Sequence, residues 1–256
     1  MESVLRVENL KYKDILKDVT FSLEEKTFNI LVGPNGSGKT TLVNAIRGLI
    51  KYEGNIFLLN EIINEELYRQ IGFFTDENIV LEDNLINELI FALKNLGYDE
   101  EKAKKRIFNL TKKLDIIDLL FKTKDQLTNC EKTFVSFVFS IIHEPKILIV
   151  DNDLENLNLN YKTKILNYIR SQKKITILFI TNNSEYFNQT DNLLFFSNGE
   201  IVLNCKFDEL VKKEKNLLKC GSNLPFSVEL SNKLIAYELI NKIELDIEKM
   251  VNEIWK

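Results

Sequence analysis

The 256-residue sequence has one histidine, one tryptophan, three prolines and three cysteines. A single histidine, His143, excludes any site that needs two imidazoles. Cys130, Cys205 and Cys220 form no C-x-x-C pair and read as reduced thiols of a cytosolic protein. No apolar run approaches the ~20 residues of a membrane-spanning helix, and no signal-peptide pattern is present. Positive charge is not in excess: the formal net charge is −4 and the pI about 5.4, so nucleic acid is not an expected partner. There is no Pro/Gly/Ser-rich linker and no internal repeat. The 45% hydrophobic and 10% aromatic content is enough for a sizeable core. The length fits one large α/β domain, or one domain with an appendage.

What is present is concentrated in one stretch. Phe28–Val32 reads as a buried parallel strand. GPNGSGKT, residues 33–40, follows it and fits G-x-x-x-x-G-K-[ST]; Thr41–Leu49 then reads as a helix. Strand, glycine loop and helix in that order form a phosphate cradle. Gly33, Gly36 and Gly38 let backbone N–H groups wrap phosphates, with Asn35 and Ser37 between them. The helix start adds partial positive charge. Lys39 is placed for the β- and γ-phosphates of ATP, Thr40 for Mg²⁺, and Thr41 opens the helix. A second strand, Ile147–Val150, ends in Asp151, the expected second Mg²⁺ partner, because ligands bind at the C-terminal ends of parallel strands.

The spacing of these parts resembles the nucleotide-binding domain of ABC transporters. Tyr12 stands where the family stacks an aromatic ring on adenine, and GPNGSGKTTL (33–42) is the family's usual wording. Leu127-Thr128-Asn129-Cys130-Glu131 occupies the place of the signature LSGGQ, 24 residues before Asp151. His143-Glu144-Pro145, the strand Ile175–Thr181 and the hairpin Ser197–Ile201 follow as the family has them. The resemblance implies an α/β P-loop NTPase of ABC type, with a RecA-like core, an antiparallel β subdomain and a helical subdomain. It implies an ABC domain over 1–220, with the helical part at about 77–140, and a small helical appendage over 221–256. Asn87–Gly97 and the tail from Leu224 are similar to the energy-coupling-factor (ECF) ATPases of cobalt and vitamin importers. By resemblance, the partners are a second ABC ATPase subunit, equal or different, and integral membrane subunits at the cytoplasmic face of the membrane. A small peptide or immunity exporter and a soluble ATP-gated binding module are the alternatives.

Several positions depart from the family's pattern. Asn152 replaces the catalytic Glu after Asp151. A carboxamide can orient a water but cannot take its proton. Losing such a base costs ~10²–10⁴ in rate, about 3–5 kcal/mol of barrier. Asn182 replaces the switch His, and His143 reads as a loop residue. Asp76 takes the place of the loop Gln; it either binds Mg²⁺ or is a solvated acid. LTNCE keeps a hydroxyl at Thr128 but carries side chains at Asn129 and Cys130 where the family has glycines. The helix after it, Thr133–Ile142, is nearly all apolar and reads as buried. Asn158 replaces an Asp and still suits a helix cap. The composition is rich in Asn, Lys and Ile, so drift can also place asparagines at such positions. These losses predict ATP binding with little hydrolysis, unless Asp153 or Asp76 serves as the base.

The remaining elements read as strands Val4–Val7, Val19–Leu23 and Gly54–Leu59, and helices Asn84–Leu96, Glu100–Leu114 and Ile116–Phe121. In the tail, Ile243, Ile247, Met250 or Val251, and Ile254 recur at helical spacing, with Asp246 as a cap. That stripe suits either a dimer surface or packing on its own domain.

Overall fold

A computed structural model describes residues 2–76, 83–210 and 225–255. Cys220, the expected boundary at 220/221, the start of the expected helical block at 77 and the tail residue Leu224 lie outside the described residues.

The strands are β1 (Ser3–Tyr12), β2 (Leu16–Glu24), β3 (Phe28–Val32), β4 (Glu53–Leu58), β5 (Glu61–Ile62), β6 (Ile71–Thr75), β7 (Ile147–Asp151), β8 (Thr176–Thr181), β9 (Asn192–Ser197) and β10 (Glu200–Lys206). They form a four-stranded sheet in the order β2-β1-β4-β5 and a six-stranded sheet in the order β10-β9-β3-β8-β7-β6. β6 runs parallel to β7, β3 runs parallel to β9, and β10 closes antiparallel on β9. The two sheets differ as their sequences do. β2 alternates, with Leu16, Val19, Phe21 and Leu23 buried, so only one face meets a core. β7 and β8 are continuous aliphatic runs buried on both faces, as strands of a parallel sheet are.

The described residues fall into two compact units. The first holds the chain up to Arg6, Ser22–Thr27 and Phe57–Leu178; the second holds Val7–Phe21, Phe28–Ile56 and the chain from Phe179 onward. The first unit contains the single-turn α2 (Glu65–Tyr68) and the longer helices α3 (Leu85–Asn95), α4 (Glu100–Lys113), α5 (Asn129–Ile141) and α6 (Leu159–Ser171). Asn84, Asp99, Thr128 and Asn158 cap the longer helices, each side chain accepting a backbone N–H of the first turn. α5 is the buried helix its apolar sequence predicts. Phe137 packs edge-on to Phe74 of β6 at 5.3 Å and to Tyr168 of α6 at 5.5 Å. It starts four residues earlier than its apolar run because Thr128 caps it. Ile117–Phe121 is a 3₁₀ segment, not an α-helix.

The second unit holds β3, the loop after it and α1 (Lys39–Ile46), which ends three residues short of the expected Leu49. Its tail has helices Phe226–Ala236 and Ile247–Ile254. Asp246 caps the last one as expected, accepting from Glu248 and Lys249 N–H; Ile243 lies ahead of the helix. Met250 is the buried member of the stripe, beside Ser231, and Ile247 and Val251 are exposed.

His143 lies in the loop between α5 and β7, as its sequence position suggests. Burial lowers its pKa, and Arg106 adds to the shift; hydrogen bonds with the Ile71 and Phe139 backbone only partly oppose it. A depressed folded pKa gives stability that is present above the unfolded value, ~6.5, and is lost as pH falls through the folded one. Thermal melting should therefore fall between pH 7.5 and 5, and His143→Gln should flatten that fall. An unchanged pH profile in the variant would show that His143 carries none of it.

Candidate nucleotide site

In the second unit, β3 delivers the phosphate loop. Gly33 leaves the strand so close to β9 that an added Cβ would lie 2.0 Å from the Phe196 carbonyl oxygen. Gly36 (φ +77°) and Gly38 (φ +105°) hold left-handed backbone that favours glycine. Gly38 is the N-cap of α1 and offers no side chain to its first N–H groups. Lys39 Nζ folds back onto the Gly33 and Pro34 carbonyls, at 2.8 and 2.9 Å. The Ser37 hydroxyl is buried without a hydrogen-bond partner among the described residues. Thr40 is exposed on the first turn of α1, and Thr41 is half-buried behind it. A cation curled over left-handed glycines, an uncapped helix start and an orphaned buried hydroxyl suit a phosphate-bearing ligand.

Asn182 meets this loop. It follows β8, and its Nδ2 donates to Asn35 Oδ1 at 3.0 Å. Sequence position alone brings these two candidates no nearer than 147 residues. Tyr12 belongs to the same unit; its carbonyl accepts from the Ile15 N–H at 3.1 Å, and Ile15 lies against Gly38 of the loop. Tyr12 lines an open cleft of about 880 Å³ formed by residues 11–14 and 49–53, which contains none of the phosphate loop. Tyr52 shares that cleft, and burial raises its hydroxyl pKa. Nothing in the spacing of the sequence pairs the two rings.

In the first unit, Asp151 ends β7 and Asp76 follows β6, the neighbouring parallel strand. Asn152 is only 8% exposed, and its Oδ1 has no partner among the described residues. Asp76 and Asn152 line one cleft of about 100 Å³ with Asp153, Lys132, Thr133 and Ser136. The Asp153 N–H donates to Asp76 Oδ1 at 3.4 Å. The Asp153 carboxylate caps its own turn, accepting from Glu155 N and Asn156 Nδ2 at 3.2 and 3.3 Å. The Asp153 carboxylate is thus engaged in its own turn. Asp76 is exposed at the cleft.

The LTNCE segment builds the start of α5. The Thr128 hydroxyl accepts from Glu131 N–H, and Glu131 Oε2 accepts from the Thr128 N–H at 2.8 Å and from its hydroxyl at 3.0 Å. Lys122 Nζ sits 2.7 Å from the other Glu131 oxygen. Burial works to raise the Glu131 pKa, but these donors outweigh it and hold the carboxyl below its usual range. Asn129 is exposed, and Cys130 Sγ lies 4.0 Å from the Asn156 carbonyl oxygen. Glu131 is the residue that the sequence reading missed. The T-x-x-E spacing was the signal for it.

The sequence profile described as "ABC transporter" matches residues 16–155, more than half of the chain. The chain belongs to the ABC transporter family. As an ABC protein it is an ATP-binding subunit, and the family's chemistry is ATP hydrolysis. It is 26% identical to the energy-coupling factor transporter ATP-binding protein EcfA of Pediococcus pentosaceus, over 100% of this chain and 97% of that one. It is 31% identical to a putative ABC transporter ATP-binding protein of Pyrococcus horikoshii, over 74% of this chain and 76% of that one. The fold is that of the solved structure of cbiO1 from Clostridium perfringens, part of the ABC transporter complex cbiONQ. There the TM-score is 0.71 and the identity 23%, covering 93% of this chain and 99% of that one.

Thr128→Ala removes both the α5 cap and the hydroxyl that Glu131 uses. The expected loss is about 1 kcal/mol of unfolding free energy, read from urea melts. A loss below a few tenths would show that the capping box is dispensable.

Proposed function

We propose that this chain is the nucleotide-binding subunit of an ECF-type importer, and that it binds Mg-ATP firmly and hydrolyses it slowly. The observation that carries the reading is Asn152. It directly follows Asp151, is buried, and its carbonyl oxygen has no partner among the described residues. An amide there can hold a water but has no lone pair basic enough to take the proton.

The roles follow from chemistry. The amides of residues 33–41 and Lys39 bind the phosphates, and Tyr12 offers a ring to the base. The oxygens of Thr40 and Asp151 are hard donors of the kind Mg²⁺ takes. The bound metal would neutralise charge on the phosphates. Asn182 and Asn35 form an amide pair that can present an N–H to the outermost phosphate. Thr128 and Asn129 at the start of α5 are offered to the nucleotide of a partner ATPase.

The ECF assignment draws on the end-to-end match to EcfA. Membrane subunits and a second ATPase subunit are the implied partners, with this chain peripheral on the cytoplasmic face. No helix among the described residues is long and apolar enough to cross a membrane itself. One observation favours a second reading. Asp76 is an exposed carboxylate on the same cleft as Asn152, and in that second reading it is the base, at the end of β6 instead of β7.

Two measurements test both readings: ATP binding, and steady-state hydrolysis by the chain alone and with its co-purified partner. Firm binding with negligible turnover is expected. Asn152→Glu should raise turnover by ~10²-fold or more, toward the contribution of a positioned base. Ordinary turnover in the unmodified chain would overturn the slow-hydrolysis reading. If Asp76→Asn then abolished it with binding intact, Asp76 would be the base.

A further inference from the structure

The opposite end of β7 from Asp151 opens on a cleft of about 640 Å³, wholly inside the first unit. β7 has five residues, so the two ends are ~13 Å apart at ~3.3 Å per residue. The walls come from α4, from the loop that carries His143 to Lys146, and from the end of α6 with the start of β8.

The charge of this cleft is opposite to that of the chain. Six cations line it: Lys102, Lys105, Arg106, Lys113, Lys146 and Lys174. Glu144 is the one carboxylate among the lining residues, in a chain of net charge −4. Arg106 is fixed, with Nε donating to the Ile142 carbonyl and Nη2 3.0 Å from Glu144. Its guanidinium lies 5.6 Å from the Tyr98 ring centre. Lys102 pairs with Asp99 at 2.7 Å, and Lys113 lies over the Tyr168 ring at 4.9 Å. Lys105, Lys146 and Lys174 have no carboxylate within ion-pair distance among the described residues. The Tyr168 hydroxyl is pushed up to about 12, first by burial and then by Glu144, so it keeps its proton and can donate.

Gathering like charges is unfavourable in the empty protein. It raises the local concentration of anions, the more so in a concave wall. Lysine, arginine and tyrosine donate hydrogen bonds to anions, and phosphate oxygens accept from all three. The volume is that of a small-molecule site, and a concave wall suits a soluble ligand better than a bilayer surface. We infer that this cleft is a second anion site. It takes a compact soluble molecule bearing two or more phosphate groups, and is built of residues that include none of the phosphate loop.

The test is calorimetric titration of inorganic tripolyphosphate into the full chain carrying Lys39→Ala, which weakens the phosphate loop. Binding that weakens with added salt is expected. Adding Lys105→Glu and Lys146→Glu should weaken it on the order of tenfold or more. In the chain with Lys39 intact, the same two changes should leave Mg-ATP affinity within about twofold. Both lysines are exposed, and circular dichroism checks the fold. Lys105→Ala with Lys174→Ala is the second variant, and a weakening in the same direction is expected. The inference is overturned if the Lys39→Ala chain binds no tripolyphosphate, or if both lysine variants bind it as the parent does. It is also overturned if these lysines govern only binding to phosphatidylglycerol vesicles, because that would assign the basic wall to a membrane.

Discussion

Gly33 has no room for a side chain. A Cβ would meet the Phe196 carbonyl oxygen at 2.0 Å, so the path from β3 into the phosphate loop exists only for glycine. That close approach is set by the parallel pairing of β3 with β9, which places Val32 opposite Phe195. Everything next along the chain depends on where the backbone goes from there. Gly36 and Gly38 turn it through left-handed conformations. Ser37 is buried by the turn, and its carbonyl accepts from the Gly199 N–H at 3.0 Å. α1 then begins with an uncapped start and with Lys39 folded over the loop. The site is therefore made mainly of backbone, and its precision comes from the sheet that anchors it.

The segments that carry acid, imidazole and glycine elsewhere in the family carry amides and side chains here, and the structure gives most of them a local use. Thr128 and Glu131 complete a capping box. Asn158 caps α6, accepting from Tyr161 N–H at 2.9 Å. Asn182 donates to Asn35. Asp153 caps a turn. An amide keeps the hydrogen-bonding capacity of the acid or imidazole it replaces and has no basic group for proton transfer.

The fold and the phosphate loop were legible in the sequence because they are written in short-range patterns. The aliphatic run before Asp151 marks β7, the family resemblance marks β8, the G-x-x-x-x-G-K-T spacing marks the loop, and Asp246 and Asn84 mark helix starts. What was not legible rests on contacts across long stretches of chain. The Asn182–Asn35 bond spans 147 residues, and the Asp153–Asp76 bond spans 77. The first residues of α5 were misjudged for a different reason. Apolar periodicity marks where a helix is buried, whereas its start is set by a polar cap that lies outside the apolar run. The cleft at the start of β7 was illegible too, since its cations are scattered from residue 102 to 174 and look like ordinary surface lysines.

Two buried polar atoms have no partner among the described residues, Ser37 Oγ and Asn152 Oδ1, and they bear on whether the site is a relic. An unsatisfied buried group costs about 1–3 kcal/mol, and small apolar residues would remove that cost at either position. Free drift in a chain that no longer binds a ligand would be expected to relieve such groups. Each instead sits where a candidate ligand would supply a partner: Ser37 within the phosphate loop, and Asn152 on the cleft beside Asp76. The loop also keeps its left-handed glycines and its Lys39. An abandoned site has no reason to hold polar groups ready. On the reading we propose, a site kept for binding rather than turnover retains the donors and acceptors that meet the ligand and replaces the proton-accepting group, as Asn152 after Asp151 would.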